Sequence, residues 1–188
     1  MKSKTSKIAS YALVGLLASA SIAHANTQGA LGPTSTGTSN ISVTKSVQAQ
    51  ISDISDMTLS NWSVGGGAVT LSSNVCVYSS TGSYKITATG SGTAGGFTIA
   101  SGSNTIPYSV TWNAGGAGAL GNTGTVLSTN VQSVTQTNAS ISSATCGGGG
   151  AGNDTARVIV GITSTAMDAA VSSNTPYTGT LTMLVTPF

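Results

Sequence analysis

The sequence predicts an all-β fold, an antiparallel β-sandwich, and three observations support this prediction. Apolar residues alternate with Ser and Thr in many short runs, for example in residues 40–51, as in a strand with one buried face. Clusters of Gly and Asn separate the runs at intervals of about ten residues. Only residues 165–171 have a helical pattern. Such short strands and turns are typical of a sandwich or a barrel.

The predicted strands follow this alternation along the chain. In the first, Ile41, Val43, Val47 and Ile51 share one face, which Lys45 interrupts. The others are expected at residues 57–62, 69–78, 83–89, 97–100, 105–112, 126–134, 157–163 and 177–186. The C-terminal strand is defined by Tyr177, Leu181, Met183, Val185 and Phe188.

The N-terminal residues predict a secretory signal peptide. Lys2, Lys4 and Lys7 precede an apolar stretch at residues 11–22, and the small residue Ala25 is expected to end the cleavage site. The stretch is short for a membrane span, so no transmembrane helix is expected. The predicted layout is therefore a signal peptide at 1–25, a flexible polar segment at 26–39 and a β-sandwich domain at 40–188. Export to the periplasm, cell surface or extracellular space follows.

Removal of this signal leaves little reactive chemistry. Three basic residues, Lys45, Lys85 and Arg157, remain against four aspartates, and neither His nor Glu is present beyond residue 25. The commonest general base and metal ligand is thus missing. A nucleic-acid surface would need clustered Lys or Arg. The sequence predicts a non-enzymatic protein with no catalytic residue, no metal, no cofactor and no nucleic-acid partner.

Asp53 and Asp56 are the only close pair of carboxylates. A hydrolase would need one of them protonated beside the other, and a calcium site would need six or more oxygen ligands. Their neighbours are Ser and Ile at a predicted strand end, where Asp commonly caps a turn. The turn is the preferred interpretation.

The two cysteines, Cys76 and Cys146, are expected to form a disulfide, because paired cysteines are usual in exported proteins. The bond would join a central strand to the segment before Gly147. A redox pair or a metal site is disfavoured, because the spacing is not CxxC and no His lies nearby.

Two motifs resemble a known family. The run VCVYSSTGSYKITATGSG, with Cys76, Gly82, Tyr84 and Gly90, is similar to the second-strand motif of the spore coat protein U domain. The run PYTGTLTMLVTPF is similar to the closing strand of the same family, which includes archaic chaperone–usher pilin subunits. The resemblance implies an immunoglobulin-like sandwich, a periplasmic chaperone and an usher as partners, and self-association by donor-strand exchange.

The role of residues 40–51 has two interpretations. As a donor strand, Ile41, Val43, Val47 and Ile51 would fill successive pockets of a neighbouring subunit. Alternatively, residues 40–51 are the first strand of their own sheet, and Lys45 protects its edge against aggregation. The second interpretation is preferred from the sequence.

The leading prediction for function is a structural surface protein, a pilin-like subunit of a fimbrial or biofilm-matrix assembly. One alternative is a carbohydrate-binding module with an aromatic platform formed by Trp62, Tyr108, Trp112 and Tyr177. Another is a small outer-membrane β-barrel, suggested by Phe188 at the end of an alternating strand.

Overall fold

The computed structural model describes residues 26–147 and 152–188. The predicted signal peptide and its cleavage site after Ala25 lie outside these residues. The chain divides into two units, residues 1–45 and 46–188. Within the described ranges, no helix combines the length and the apolar character needed to cross a membrane.

The described part of the first unit, residues 26–45, is exposed throughout and forms neither a helix nor a strand. One antiparallel bridge joins Thr27 and Thr38, where the Thr38 N–H donates to the Thr27 carbonyl at 2.9 Å. Ile41 and Val43 are 91% and 88% exposed. Residues 40–45 form no strand, so the alternating pattern here is not used in a sheet of the described chain.

The second unit is built from antiparallel strands and confirms the predicted all-β class. Its strands are β1 (Ala49–Ser52), β2 (Val69–Ser79), β3 (Tyr84–Gly90), β4 (Thr98–Ser101), β5 (Asn104–Pro107), β6 (Ser109–Asn113), β7 (Thr125–Leu127), β8 (Ala156–Ile162) and β9 (Leu181–Pro187). A 3₁₀ turn spans Thr93–Gly95, and one short helix, α1, spans Ser164–Ala169. The Thr163 hydroxyl caps α1 by accepting from the Ala166 N–H.

The strands form two layers with the order of an immunoglobulin-like sandwich. One sheet has the order β1-β2-β8-β6-β7, and β3 pairs with β9 in the other. In chain order, β1, β2, β8 and β6 occupy the positions of strands A, B, E and D, and β3 and β9 those of C and F. Residues 129–136 follow the second edge of β3 through isolated bridges, and β4 and β5 form a separate hairpin.

The core lies between the two layers. Val75, Val77 and Val158 from one sheet meet Tyr84 and Ile86 from the other, and all five are fully buried. At its centre, the Trp112 Nε1–H donates to the Tyr84 hydroxyl at 3.0 Å, with the rings edge to face. This bond gives both buried polar groups a partner, as their burial requires. Burial also raises the pKa of Tyr84 to about 12, so its phenol stays neutral.

Several predicted strands are corrected by the structure. Of residues 40–51, only Ala49–Ser52 form a strand, because only these residues and Gln48 pair with the β2 edge. Residues 57–62 form none, and Asn61 there has a left-handed backbone. The strand expected at 126–134 is β7 at 125–127 followed by irregular bridges, with Asn130 also left-handed. Tyr177 and Phe188 flank the last strand rather than belong to it.

Tyr84→Phe should lower the free energy of unfolding by about 1–3 kcal/mol, because the buried Trp112 N–H would lose its acceptor. Urea denaturation followed by intrinsic fluorescence measures this. Tyr108→Phe is the matched control: Tyr108 stacks on Phe97 and its hydroxyl has no hydrogen-bond partner among the described residues, so a change within about 0.5 kcal/mol is expected. Equal losses in both variants would contradict the role of the Trp112–Tyr84 bond.

Candidate functional site

The outer edge of β9 is the first candidate site. In the β3–β9 ladder the Phe188 N–H donates to the Ser83 carbonyl at 3.1 Å. Hydrogen-bonded and non-hydrogen-bonded pairs alternate in an antiparallel ladder, so Thr186, Leu184 and Thr182 direct their backbone groups at β3. The backbone groups of Leu181, Met183 and Val185 therefore point away from β3. Within residues 26–147 and 152–188 these groups have no hydrogen-bond partner.

The opposite edge of β3 shows what a paired edge looks like. The Tyr84 N–H and carbonyl exchange hydrogen bonds with Gln136 at 3.0 and 2.7 Å, and the Ile86 and Ala88 carbonyls accept from Ser133 and Asn130. The side chains of Tyr84, Ile86 and Ala88 are fully buried. The corresponding backbone groups on the outer edge of β9 lack such a neighbour among the described residues.

The side chains of Leu181, Met183 and Val185 pack on the core but are only half-buried. Ile51 of β1 packs against the same core cluster from the other sheet. Because the Gln48 carbonyl accepts from the Ser80 N–H, alternation directs the backbone groups of Ala49 and Ile51 away from β2. We call the region lined by Ile51, Leu181, Met183 and Val185 the β1–β9 seam.

The seam coincides with one position of the immunoglobulin fold. In that fold strand G pairs with F, the strand whose position β9 occupies. Among the described residues no strand occupies the G position. The seam is therefore an apolar strip bordered by an unpaired strand edge, and such an edge can accept an additional strand by backbone hydrogen bonds.

The structure separates the predicted first-strand residues. Ile51 is in β1 and packs against the core, whereas Val47 precedes β1 and is 65% exposed. Ile41 and Val43 are more exposed still. The four residues do not share one strand, so the prediction of a single continuous strand over residues 40–51 is wrong.

The residues predicted for the C-terminal strand also lie in different places. Leu181, Met183 and Val185 line the seam. Phe188 lies beyond the strand, where the Lys85 ammonium sits 3.9 Å from its ring centroid. Tyr177 precedes the strand, packs near the β4–β5 hairpin, and donates its hydroxyl to the Val171 carbonyl at 2.7 Å.

The disulfide between Cys76 and Cys146 is confirmed, with a Cα–Cα distance of 5.7 Å. Val75 and Val77 face the core, so Cys76 between them faces the outer side of the sheet. There it fixes the segment that precedes Gly147. Both cysteines are buried, which supports the structural role.

The aromatic residues do not form the predicted platform. Trp112 is fully buried in the core. Trp62, Tyr108 and Tyr177 are half-buried around a smaller cluster formed by Val69, Ile106 and Ile162. Trp62 also donates its indole N–H to the Gly67 carbonyl at 3.2 Å. The four rings therefore do not share one exposed surface.

A polar depression of about 570 Å³ is the second candidate site. It brings together Asp53, which follows β1, and Asp154, which precedes β8. Asp154 is 4% exposed, and its Oδ1 has no hydrogen-bond partner among the described residues. Burial and, to a smaller extent, the Asp53 carboxylate raise the pKa of Asp154. The sequence singled out Asp56 as the neighbour of Asp53, but Asp56 is exposed and does not line this depression.

Comparison of the chain with protein-family models and with curated protein sequences found no match.

Replacement of both cysteines, Cys76→Ser with Cys146→Ser, should lower the free energy of unfolding by about 4 kcal/mol. The bond closes a loop with a sequence separation of 70 residues, and loop-closure entropy predicts this size. Chemical denaturation measures the loss. Reduction of the wild-type protein should reproduce it, whereas the reductant should leave the double variant unchanged; a loss below about 1 kcal/mol would contradict this interpretation.

Asp154→Asn should stabilise the protein at neutral pH in metal-free buffer. Because the pKa of Asp154 is raised in the folded state, the folded protein binds this proton more tightly than the unfolded chain, and stability falls as the pH rises from about 4. The advantage of the variant should therefore grow with pH and vanish in acid. Thermal unfolding between pH 3.5 and 8 measures it, with Asp56→Asn as control. A pH-independent difference would contradict the assigned cause.

Proposed function

We propose that this protein is an exported structural subunit that assembles by strand complementation, in which residues 41–47 of one copy pair with the outer edge of β9 in another copy. The observation that carries this proposal is the edge itself. Leu181, Met183 and Val185 have backbone groups without a partner among the described residues, and their side chains leave the core half-covered.

An added strand would pair the free backbone groups of the seam and cover its apolar side chains. It pairs the free N–H and C=O groups in register, and its alternate side chains cover the apolar strip. No side chain alone can pair a row of backbone groups in this way. A strand whose apolar residues occur at every second position is therefore the matching ligand.

Residues 41–47 have the required pattern. In a strand conformation Ile41, Val43 and Val47 would lie on one face, and each is more than 60% exposed, at 91%, 88% and 65%. Burial of each such side chain contributes roughly 1.5–3 kcal/mol. Lys45 lies on the same face, but its aliphatic stem can lie along the seam while its ammonium reaches solvent.

The exposed seam also suggests that the subunit needs a protein partner before it assembles. A strand edge beside half-buried apolar residues is an aggregation site unless it is covered. We propose that a periplasmic chaperone covers it during export and that an usher exchanges this chaperone for the next subunit. The same reasoning favours a fimbrial or matrix location, because repeated complementation between identical copies produces a fibre.

Two substitutions test the two halves of the proposed contact. Val43→Asp should abolish donation, because a carboxylate would be buried in the seam, and Met183→Lys should abolish acceptance. Their controls are Val64→Asp and Leu184→Lys, which place the same charges at side chains that are 83% and 61% exposed. Wild type and both controls should give an SDS-resistant ladder that collapses on boiling, and the two test variants should give monomers.

Mixing the variants separates loss of assembly from loss of folding. Val43→Asp keeps a free acceptor edge and Met183→Lys keeps a competent donor, so the mixture should form a heterodimer and nothing larger. Size-exclusion chromatography with mass detection measures this. A ladder that persists in Val43→Asp, or a wild-type protein that stays monomeric at every concentration, would contradict strand complementation.

A further inference from the structure

The proposed donor segment, residues 41–47, has no spacer between it and the domain that carries it. The Gln48 N–H donates to the Ser80 hydroxyl, and the Gln48 carbonyl accepts from the Ser80 N–H, both at 2.9 Å. Gln48 is therefore held on the domain, and Val47 is its direct neighbour in the chain. Because consecutive Cα atoms are only about 3.8 Å apart, Val47 can lie in the seam of a second copy only if the two domains touch.

The turn that holds Gln48, at residues 80–83 between β2 and β3, is closed by its own hydrogen bonds. The Gly82 N–H donates to the Ser79 carbonyl at 2.9 Å, and the Ser79 hydroxyl donates to the Ser83 carbonyl at 2.7 Å. Gly82 has a φ of 77°, in the left-handed region that glycine adopts without strain. A turn fixed in this way loses little conformational freedom when a partner binds to it.

Two exposed apolar side chains flank this turn. Ile141 is 63% exposed, and its Cγ2 lies 3.4 Å from the position that a Cβ would take on Gly82. Phe188 is 64% exposed, and its N–H donates to the Ser83 carbonyl at 3.1 Å. Both side chains therefore lie beside the turn that holds Gln48, where a second copy has to make contact. Contact there would remove their apolar surface from water, which favours association.

We propose that Ile141, Phe188 and the turn at residues 80–83 form a second contact with the accepting copy. We call these residues the joint surface. The inference rests on the proposed strand complementation and adds to it a contact outside the seam. The partner is a second copy of this chain, because the bond from Val47 to Gln48 has no slack that would let another molecule lie between the two domains. The two contacts are linked, so each raises the effective concentration of the other.

The direction of β1 decides which end of the accepting copy the joint surface meets. β1 begins opposite Ser79, whose hydroxyl donates to the same Ser83 carbonyl that accepts from the Phe188 N–H after β9. The start of β1 and the end of β9 therefore lie at the same end of the seam. If Val47 left the neighbouring seam at this end, like ends would meet and two copies could close on each other. A fibre requires that Val47 leaves at the opposite end, beside Leu181.

The heterodimer of the Met183→Lys and Val43→Asp proteins tests this, because the first chain only donates and the second only accepts. Ile141→Asp or Phe188→Asp in the donating chain should speed dissociation at least about tenfold. Exchange of a fluorescently labelled donating chain against an excess of unlabelled Met183→Lys chain measures the rate. Val126→Asp in the donating chain, at a side chain 72% exposed on β7, is the charge-matched control and should change the rate by less than about twofold.

Two further measurements separate the joint surface from folding and from the donor strand. Ile141→Asp placed in the accepting chain should leave the dissociation rate unchanged, because the joint surface of that chain lies at its far end, and binding in this role shows that the variant folds. Gly-Ser-Gly-Ser inserted between Val47 and Gln48 of the donating chain should speed dissociation. Ile141→Asp should then add no further loss, because the spacer has already released the contact.

The possible failures can be told apart. If no heterodimer forms, strand complementation is wrong and this inference is overturned with it. If the heterodimer forms but ignores Ile141→Asp and Phe188→Asp in the donating chain, the joint surface alone is overturned. If Ile141→Asp causes an equal loss in either chain, like ends meet, and the contact at the Leu181 end is overturned.

Discussion

Among the described residues β9 is paired on one side only, and this is the constraint on which the rest of the structure depends. Backbone N–H and C=O groups need partners wherever water is excluded. At the seam they have none among the described residues, so the core beneath Leu181, Met183 and Val185 cannot be closed by side-chain packing alone. The half-burial of these three residues follows directly. Whatever completes the core must also supply a row of backbone partners.

The remainder of the domain is well packed although the seam is only half-covered. The fully buried residues come from β3, which pairs with β9, and from β2, β6 and β8 in the opposite sheet. The Trp112–Tyr84 bond fixes the centre, and the disulfide ties the outer face of β2 to the segment before β8. The elements that carry most of the burial therefore do not need an added strand to pair their own backbone.

Sequence alternation predicted the central strands closely, because each is buried against the opposite sheet. β2, β3 and β8 lie within one residue of their expected bounds at both ends. The same alternation failed at residues 40–48, because a strand also needs a neighbouring edge, which alternation does not report. The cysteine pair was predictable from its chemistry. The meeting of Asp53 and Asp154 was not, because it depends on β1 and β8 both lying beside β2.

Residues 41–47 and the outer edge of β9 have complementary features. Within the part of the chain that the structure describes, residues 41–47 have the side-chain alternation of a strand but pair with no other strand, and the outer edge of β9 has no neighbouring strand. In a sequence selected only for a closed sandwich, exposed Ile41 and Val43 would have no role, and an edge would be protected by charge or by a bulge. The seam has neither along Leu181, Met183 and Val185. Pro187, which lacks an N–H, interrupts the free edge only at its end. Under the proposed strand complementation the next subunit would supply the protection that such an edge needs, so the proposal accounts for both features together.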